Sequence, residues 1–157
     1  MSNLTDISDV IIIGSGPAGL SAAIYVVRAG LSVNVIEKEF MGTGQIADSS
    51  KVDNYLGIPA ISGYDLGESF REHALSLGVT IEDNNVTRLT PVDDIWELEL
   101  SDGSTKKARC VIYAAGCSHK KLQAENEEQY TGKGISYCAV CDGAFYKDKD
   151  VAVVGGG

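Results

Sequence analysis

The sequence predicts an α/β fold: a parallel sheet wound through a βαβ unit, a small antiparallel β layer added to it, and the truncated start of a second nucleotide-binding domain. Three observations carry this. A short apolar run enters a glycine turn at residues 10–14 and again at 151–155; the first of these is followed by a helix-forming stretch and a second apolar run; and four strand-like segments succeed one another between residues 79 and 113.

Val10, Ile11, Ile12 and Ile13 form an unbroken apolar run ending at Gly14, the pattern of a central strand covered on both faces. A helix is expected over 17–29, with Pro17 in the tolerated first turn, small Ala18, Ala22 and Ala23 for close approach to a sheet, and Gly30 as the stop. Residues 31–37, with Val33, Val35 and Ile36, read as the second strand of the βαβ unit. The stretch 40–61 has no period and is expected to be a long functional loop.

Ser62 reads as the cap of a helix to Leu77, with Asp65 closing a capping box and Leu66, Phe70, Ala74 and Leu77 on one buried stripe. Strands are expected at 79–83, 86–90, 95–101 and 105–113. Trp96, Leu98 and Leu100 alternate with Glu97 and Glu99 across the pleat, and Asp102-Gly103 marks a hairpin turn. The polar stretch to Gly134 reads as a linker, and residues 151–154 as one more strand. The expected division is 1–117 and 118–157.

The chain of 157 residues carries 13 basic and 22 acidic residues, a net charge of −9, which opposes a sequence-independent grip on nucleic acid or anionic lipid. The longest apolar run falls short of the ~20 residues of a membrane span, and residues 1–9 lack the layout of a signal peptide, so a cytoplasmic protein is expected. Four cysteines are too few for a secreted disulfide scaffold; the close pair Cys138 and Cys141 points to redox or metal chemistry, and Cys110 and Cys117 read as core thiols.

Two motifs carry chemistry. Gly14-Ser15-Gly16-Pro17-Ala18-Gly19 fits the Rossmann-like dinucleotide fingerprint, with Glu37 at the end of the second strand able to accept from ribose hydroxyls. Bare amides at a helix start hold a diphosphate without a lysine, which suits an acidic chain. Cys138-Ala139-Val140-Cys141-Asp142 can be a reversible dithiol with Asp142 as proton shuttle, a pair of inert thiols, or half of a zinc site completed by Cys117 and His119.

Together these motifs, with Gly44-Gln45, Asn54, Ala114-Ala115-Gly116 and the terminal Val153-Val154-Gly155-Gly156-Gly157, resemble in order and spacing the N-terminal part of the low-molecular-weight thioredoxin reductases. The resemblance covers essentially the whole chain. It implies FAD held by Gly14, Ser15, Gly16, Pro17, Ala18 and Gly19 at the diphosphate, by Glu37 and Lys38 near the ribose, by Gly44, Gln45, Asn54, Ala115 and Gly116 toward the flavin, and by Val86 near the adenine. It also implies Cys138 as the attacking sulfur, Cys141 as the sulfur facing the flavin and Asp142 as general acid/base, with NADPH as donor, thioredoxin as acceptor and a homodimeric full-length protein. Ala115 stands where the family usually has threonine, and Tyr55-Leu56-Gly57 replaces a more usual Trp/Phe-Pro-Gly. Ferredoxin as donor, and a non-catalytic nucleotide-binding or zinc-stapled module, are the alternatives.

Overall fold

The computed structural model describes residues 7–155, with Val140 and Cys141 described by backbone alone. The chain packs as two compact units, Met1–Gly116 and Cys117–Gly157.

In the first unit, strand β1 (Ile7–Ile13) leads through helix α1 (Pro17–Arg28) to β2 (Val33–Glu37). Pro17 opens α1, where its missing N–H removes nothing, and Gly30 beyond its end adopts a φ of +75°. A long loop containing one 3-10 turn (Gln45–Asp48) precedes helix α2 (Gly63–Ser76). Strands β3 (Thr80–Asp83), β4 (Val86–Val92), β5 (Ile95–Leu100) and β6 (Thr105–Tyr113) complete a six-stranded sheet of order β3-β2-β1-β6-β5-β4. The β3-β2-β1-β6 part is parallel, and β6-β5-β4 is an antiparallel meander. Pro91 is accommodated because β4 is an edge strand.

The core is double. Val10 and Ile12 of β1 join Val35 of β2, Leu20 and Ala23 of α1, Ala74 of α2 and Val79 on the helix side. Ile11 points the opposite way and joins Ile36, Leu98, Leu100 and Ala108. Ile36 and Leu98 share that cluster although two strands, at about 4.8 Å spacing, separate β2 from β5 in the sheet. The meander therefore curls over the second face, and the expected antiparallel layer is continuous with the parallel sheet through β6. A 2.8 Å ion pair from Lys106 of β6 to Glu82 of β3 spans the same curl.

Three expectations are corrected. Ser62 does cap α2, accepting from the Asp65 N–H at 3.0 Å, but the reciprocal bond of a capping box is replaced: the Ser62 hydroxyl donates to the Asp65 carboxylate at 2.6 Å. Leu66 and Ala74 are fully buried and Phe70 packs beside them, whereas Leu77, past the last turn, is 40% exposed. Residues 151–154 form no strand; Val151, Val153 and Val154 lie exposed, since a strand needs a neighbour to satisfy its amides.

The second unit holds only short elements: helical turns α3 (Glu127–Tyr130) and α4 (Ala139–Asp142) and a 3-10 turn (Gly143–Tyr146).

The buried stripe makes Leu66→Ala costly, about 2–5 kcal/mol, and Leu77→Ala nearly silent, under about 1 kcal/mol, in urea unfolding of the chain. Equal losses would show that the end of α2 is packed as tightly as its middle.

Candidate nucleotide site and redox cysteine

Strand β1 lies between β2 and β6, both parallel to it, so the chain leaves β1 toward one side and returns on the other. A crevice opens at the carboxyl ends of parallel strands where the order reverses in this way. The segments at those ends are 14–19 after β1, 37–44 after β2 and 114–116 after β6.

Backbone contact fixes two of the three fingerprint glycines. Gly14 has φ +103°, donates its N–H to the Ile36 carbonyl at 2.8 Å, and a Cβ there would lie 2.4 Å from the Ala114 carbonyl oxygen. A Cβ on Gly19 would lie 1.9 Å from the Gly14 carbonyl oxygen, so only glycine lets α1 sit so close to the end of β1. Gly16 differs: its backbone is extended, and its nearest neighbours would be ordinary contacts, the Gly44 Cα at 3.7 Å and the Thr43 oxygen at 3.9 Å. Neither conformation nor protein packing demands glycine there. Beside it, α1 begins with no side-chain cap.

Glu37 ends β2 only 7% exposed. Its Oε2 accepts from the Ser15 N–H at 2.7 Å and its Oε1 from the Glu39 N–H at 3.0 Å. The Ser15 hydroxyl lies 2.8 Å from Glu37 Oε2 and 2.5 Å from the Gly42 carbonyl, two acceptors for one proton. Burial works to raise the Glu37 pKa, but the hydrogen bonds from Glu39, Ser15 and Lys38 outweigh it and hold the carboxyl below the ordinary glutamate value. The group stays ionised.

Gly44 (φ +79°) brings the loop against Gly16: a Cβ on Gly44 would lie 3.0 Å from the Gly16 Cα. Ala115 has its Cα 3.1 Å from where a Gly14 Cβ would stand, and Gly116 follows at φ +68°. Gln45 opens the 3-10 turn directly after Gly44. Exposed Pro17 and Ala18 complete the first turn of α1. Lys38 is exposed, 3.7 Å from the Glu39 carboxylate, and Asn54 is exposed in the loop. Val86 packs its side chain against the second core cluster.

Three positioning glycines escape the fingerprint. Gly42 folds the loop over Glu37, since a Cβ there would meet the Glu37 carboxyl carbon at 3.1 Å. Gly63 and Gly67, one turn apart on α2, receive the Ile46 carbonyl and the buried Thr43 side chain, where a Cβ would clash at 1.7 and 2.5 Å. Two glycines inside a predicted helix are the signal that something packs there.

In the second unit Glu127 is buried, its carboxylate accepting from the Leu122 and Ala124 N–H groups, both at 3.2 Å, and from the Tyr137 hydroxyl. The Tyr137 ring stacks on His119 with centroids 3.9 Å apart, and its bond to the Glu127 carboxylate pushes the phenol pKa up. Ser136 donates to the Asp142 carboxylate at 2.6 Å and accepts from the Cys138 N–H at 3.1 Å. Cys138 is disulfide-bonded, and with His119 stacked on Tyr137 the zinc cluster loses the thiolate it needs at Cys138. Among the described residues no group of three or more His, Cys, Asp or Glu could hold a metal. The Cys141 side chain, Gly156 and Gly157 lie outside the described residues. Cys110 and Cys117 are exposed thiols, not core ones. Pairing of β5 with β6 ends at Ala108, which leaves Cys110 uncovered, and Cys117 lies beyond the strand.

The profile of the pyridine nucleotide-disulphide oxidoreductases matches residues 8–157. Thioredoxin reductase of Bacillus subtilis is 45% identical over 153 residues, which are 96% of this chain and 47% of that protein. The crystal structure of thioredoxin reductase from Streptococcus pyogenes aligns with a TM-score of 0.76 at 38% identity, covering 91% of this chain and 46% of the other. A ferredoxin-flavin thioredoxin reductase from Clostridium acetobutylicum aligns with a TM-score of 0.69 at 35% identity, covering 90% and 48%. The chain thus spans about half the length of the curated relatives it matches, and the resemblance read from the motifs is borne out.

The depressed pKa of Glu37 sets a sign for acid stability. Its contribution is present above the ordinary value of 4.5 and is lost as the pH falls through the lower folded value. Glu37→Gln is expected to flatten the acid limb of urea unfolding followed from about pH 7 to pH 3, and to cost about 1–3 kcal/mol at neutral pH. An unchanged acid limb would show that another carboxylate governs it.

Proposed function

Since the chain belongs to the pyridine nucleotide-disulphide oxidoreductase family, we propose that it is the N-terminal part of a flavin-dependent disulfide reductase of the thioredoxin reductase type. The observation that carries this reading is Gly16, a glycine that neither backbone conformation nor packing requires, beside the uncapped start of α1. A group without Cβ leaves room for a diphosphate to touch backbone, and the amides of Gly16, Ala18 and Gly19 supply donors with the positive end of the helix dipole behind them.

The residues fit FAD. Ser15, Gly16, Pro17, Ala18 and Gly19 would surround the diphosphate, and Gly14 shapes the turn. Glu37, ionised and already oriented by Ser15 and Glu39, would accept from the adenosine ribose hydroxyls with Lys38 at the rim. Val86 belongs to the adenine end, and Gly44, Gln45, Asn54, Ala115 and Gly116 to the flavin end. When bound, FAD supplies a two-electron centre between a donor and a disulfide.

Cys138 and Cys141 form the redox couple. Two electrons and two protons convert their disulfide to two thiols. The Cys138 thiol passes its proton to the Asp142 carboxylate and attacks one sulfur of thioredoxin's disulfide; the S–S bond breaks, and the departing thiolate takes the proton from Asp142. Cys141 then attacks Cys138 in the mixed disulfide and releases the second thiol of thioredoxin.

NADPH is the proposed donor and the full-length protein a cytoplasmic homodimer. Ferredoxin is the second reading, favoured by the similarity to the Clostridium acetobutylicum protein. Among the described residues no helix is long and apolar enough to cross a membrane.

The full-length protein is expected to purify yellow and to reduce thioredoxin with NADPH; reduction with ferredoxin alone would select the second reading. Gly16→Val should lower flavin content by more than about tenfold, read by absorbance, through loss of the backbone approach. Cys138→Ser should keep the flavin and lose thioredoxin reduction by at least about a thousandfold. A colourless full-length protein, or full turnover without Cys138, would overturn the proposal.

A further inference from the structure

Three hydrogen bonds close a ring around the redox cysteine. The Asp142 N–H donates to the Cys138 carbonyl at 3.0 Å, the Cys138 N–H donates to Ser136 Oγ at 3.1 Å, and the Ser136 hydroxyl donates to Asp142 Oδ2 at 2.6 Å. Ser136 Oγ also lies 3.3 Å from the Cys138 carbonyl, but its single proton goes to the shorter, charge-assisted contact. Ser136 thus touches both the backbone of the attacking cysteine and the carboxylate proposed to move its proton.

We infer that Ser136 is a positioning residue for thiol–disulfide exchange: it occupies Asp142 Oδ2, leaves Oδ1 as the oxygen that takes the proton, and ties the carboxyl to the backbone of Cys138 while the proton is held there. This rests on the reading of Cys138 and Asp142 given above. In the step it serves, the Cys138 S–H proton moves to Asp142, a bond forms from Cys138 Sγ to one substrate sulfur, the substrate S–S bond breaks, and the leaving thiolate takes the proton. No net oxidation accompanies the exchange. A hydroxyl acceptor for the Cys138 N–H also holds residues 136–138 in one course, but that alone would not distinguish one leaving group from another. The proton relay does: a strongly basic leaving thiolate needs the proton, and a weakly basic one departs without it.

The test uses the dithiol form of the full-length, flavin-loaded protein, mixed in stopped flow with either hydroxyethyl disulfide or 5,5′-dithiobis(2-nitrobenzoate), with no electron donor present. Ser136→Ala is expected to slow reaction with hydroxyethyl disulfide about tenfold and to leave the nitrobenzoate reaction within about twofold. Ser136→Thr, which keeps a hydroxyl, should restore the rate, and in an Asp142→Asn background Ser136→Ala should add nothing further. Equal slowing of both reactions, a Ser136→Thr variant as slow as Ser136→Ala at unchanged Tm, or additive losses with Asp142→Asn would each overturn the inference and leave Asp142 in its role. If Asp142→Asn itself slows neither reaction, the assignment of Asp142 fails and the inference fails with it.

Discussion

The structure of the first unit depends on a place where three backbones meet with no side chain between them. The Gly14 carbonyl oxygen stands where a Cβ of residue 19 would be, and the Ala114 carbonyl oxygen stands where a Cβ of residue 14 would be. Strands β1 and β6 and helix α1 can come together only on these terms. Because β2 and β6 flank β1 on opposite sides, the same contact places the start of α1 at the mouth of the crevice between diverging chain paths. The position of the helix amides follows from packing that would be the same without a ligand. Gly16, placed between the two constrained glycines, is itself unconstrained by packing, which is what the proposed diphosphate contact needs.

A chain of net charge −9 can bind an anionic nucleotide, as proposed, only by separating its charges locally. Here backbone donors face one part of the crevice and a single buried carboxylate faces another. Glu37 is kept ionised by amides and a hydroxyl, so it repels phosphate and accepts only from donors. That separation is what the proposed adenosine diphosphate moiety requires, with its hydroxyl-bearing sugar and negatively charged linkage. Ser15 belongs to both parts, since its amide and hydroxyl orient Glu37 while its neighbours at 16–19 open the helix.

Sequence made the βαβ unit legible because its constraints are local: each fingerprint glycine answers to backbone a few residues away or to one neighbouring strand. The loop over residues 40–61 was legible only as a loop. Its path depends on Gly63 and Gly67 of α2 accepting Ile46 and Thr43, contacts that no period encodes. Leu77 fits the helical stripe by spacing yet falls beyond the last packed turn, and residues 151–154 have strand composition without a partner strand, because pairing is a property of two segments. In the proposed redox site, Cys138 and Asp142 are legible from spacing, whereas a serine two residues before a cysteine, such as Ser136, carries no signal until the chain turns back on itself in α4.

The two units are held by different physics. Every fully buried apolar residue described lies between Val10 and Ala108, in the first unit. In the second, the buried residue among those described is Glu127, bonded to Leu122, Ala124 and Tyr137, whose ring stacks on His119. A segment organised by a carboxylate hub opens at far lower free energy than one organised by a core, because water can replace its hydrogen bonds one for one while nothing replaces buried apolar contact. A nucleotide site gains from rigidity, since its donors must already point where the charge will be. Under the proposed function, a disulfide that meets first an electron source and then a protein partner gains from the opposite. On that reading the carboxyl that serves the disulfide must stay beside it, and the ring through Ser136 ties Asp142 to Cys138 by contacts that lie wholly within residues 136–142.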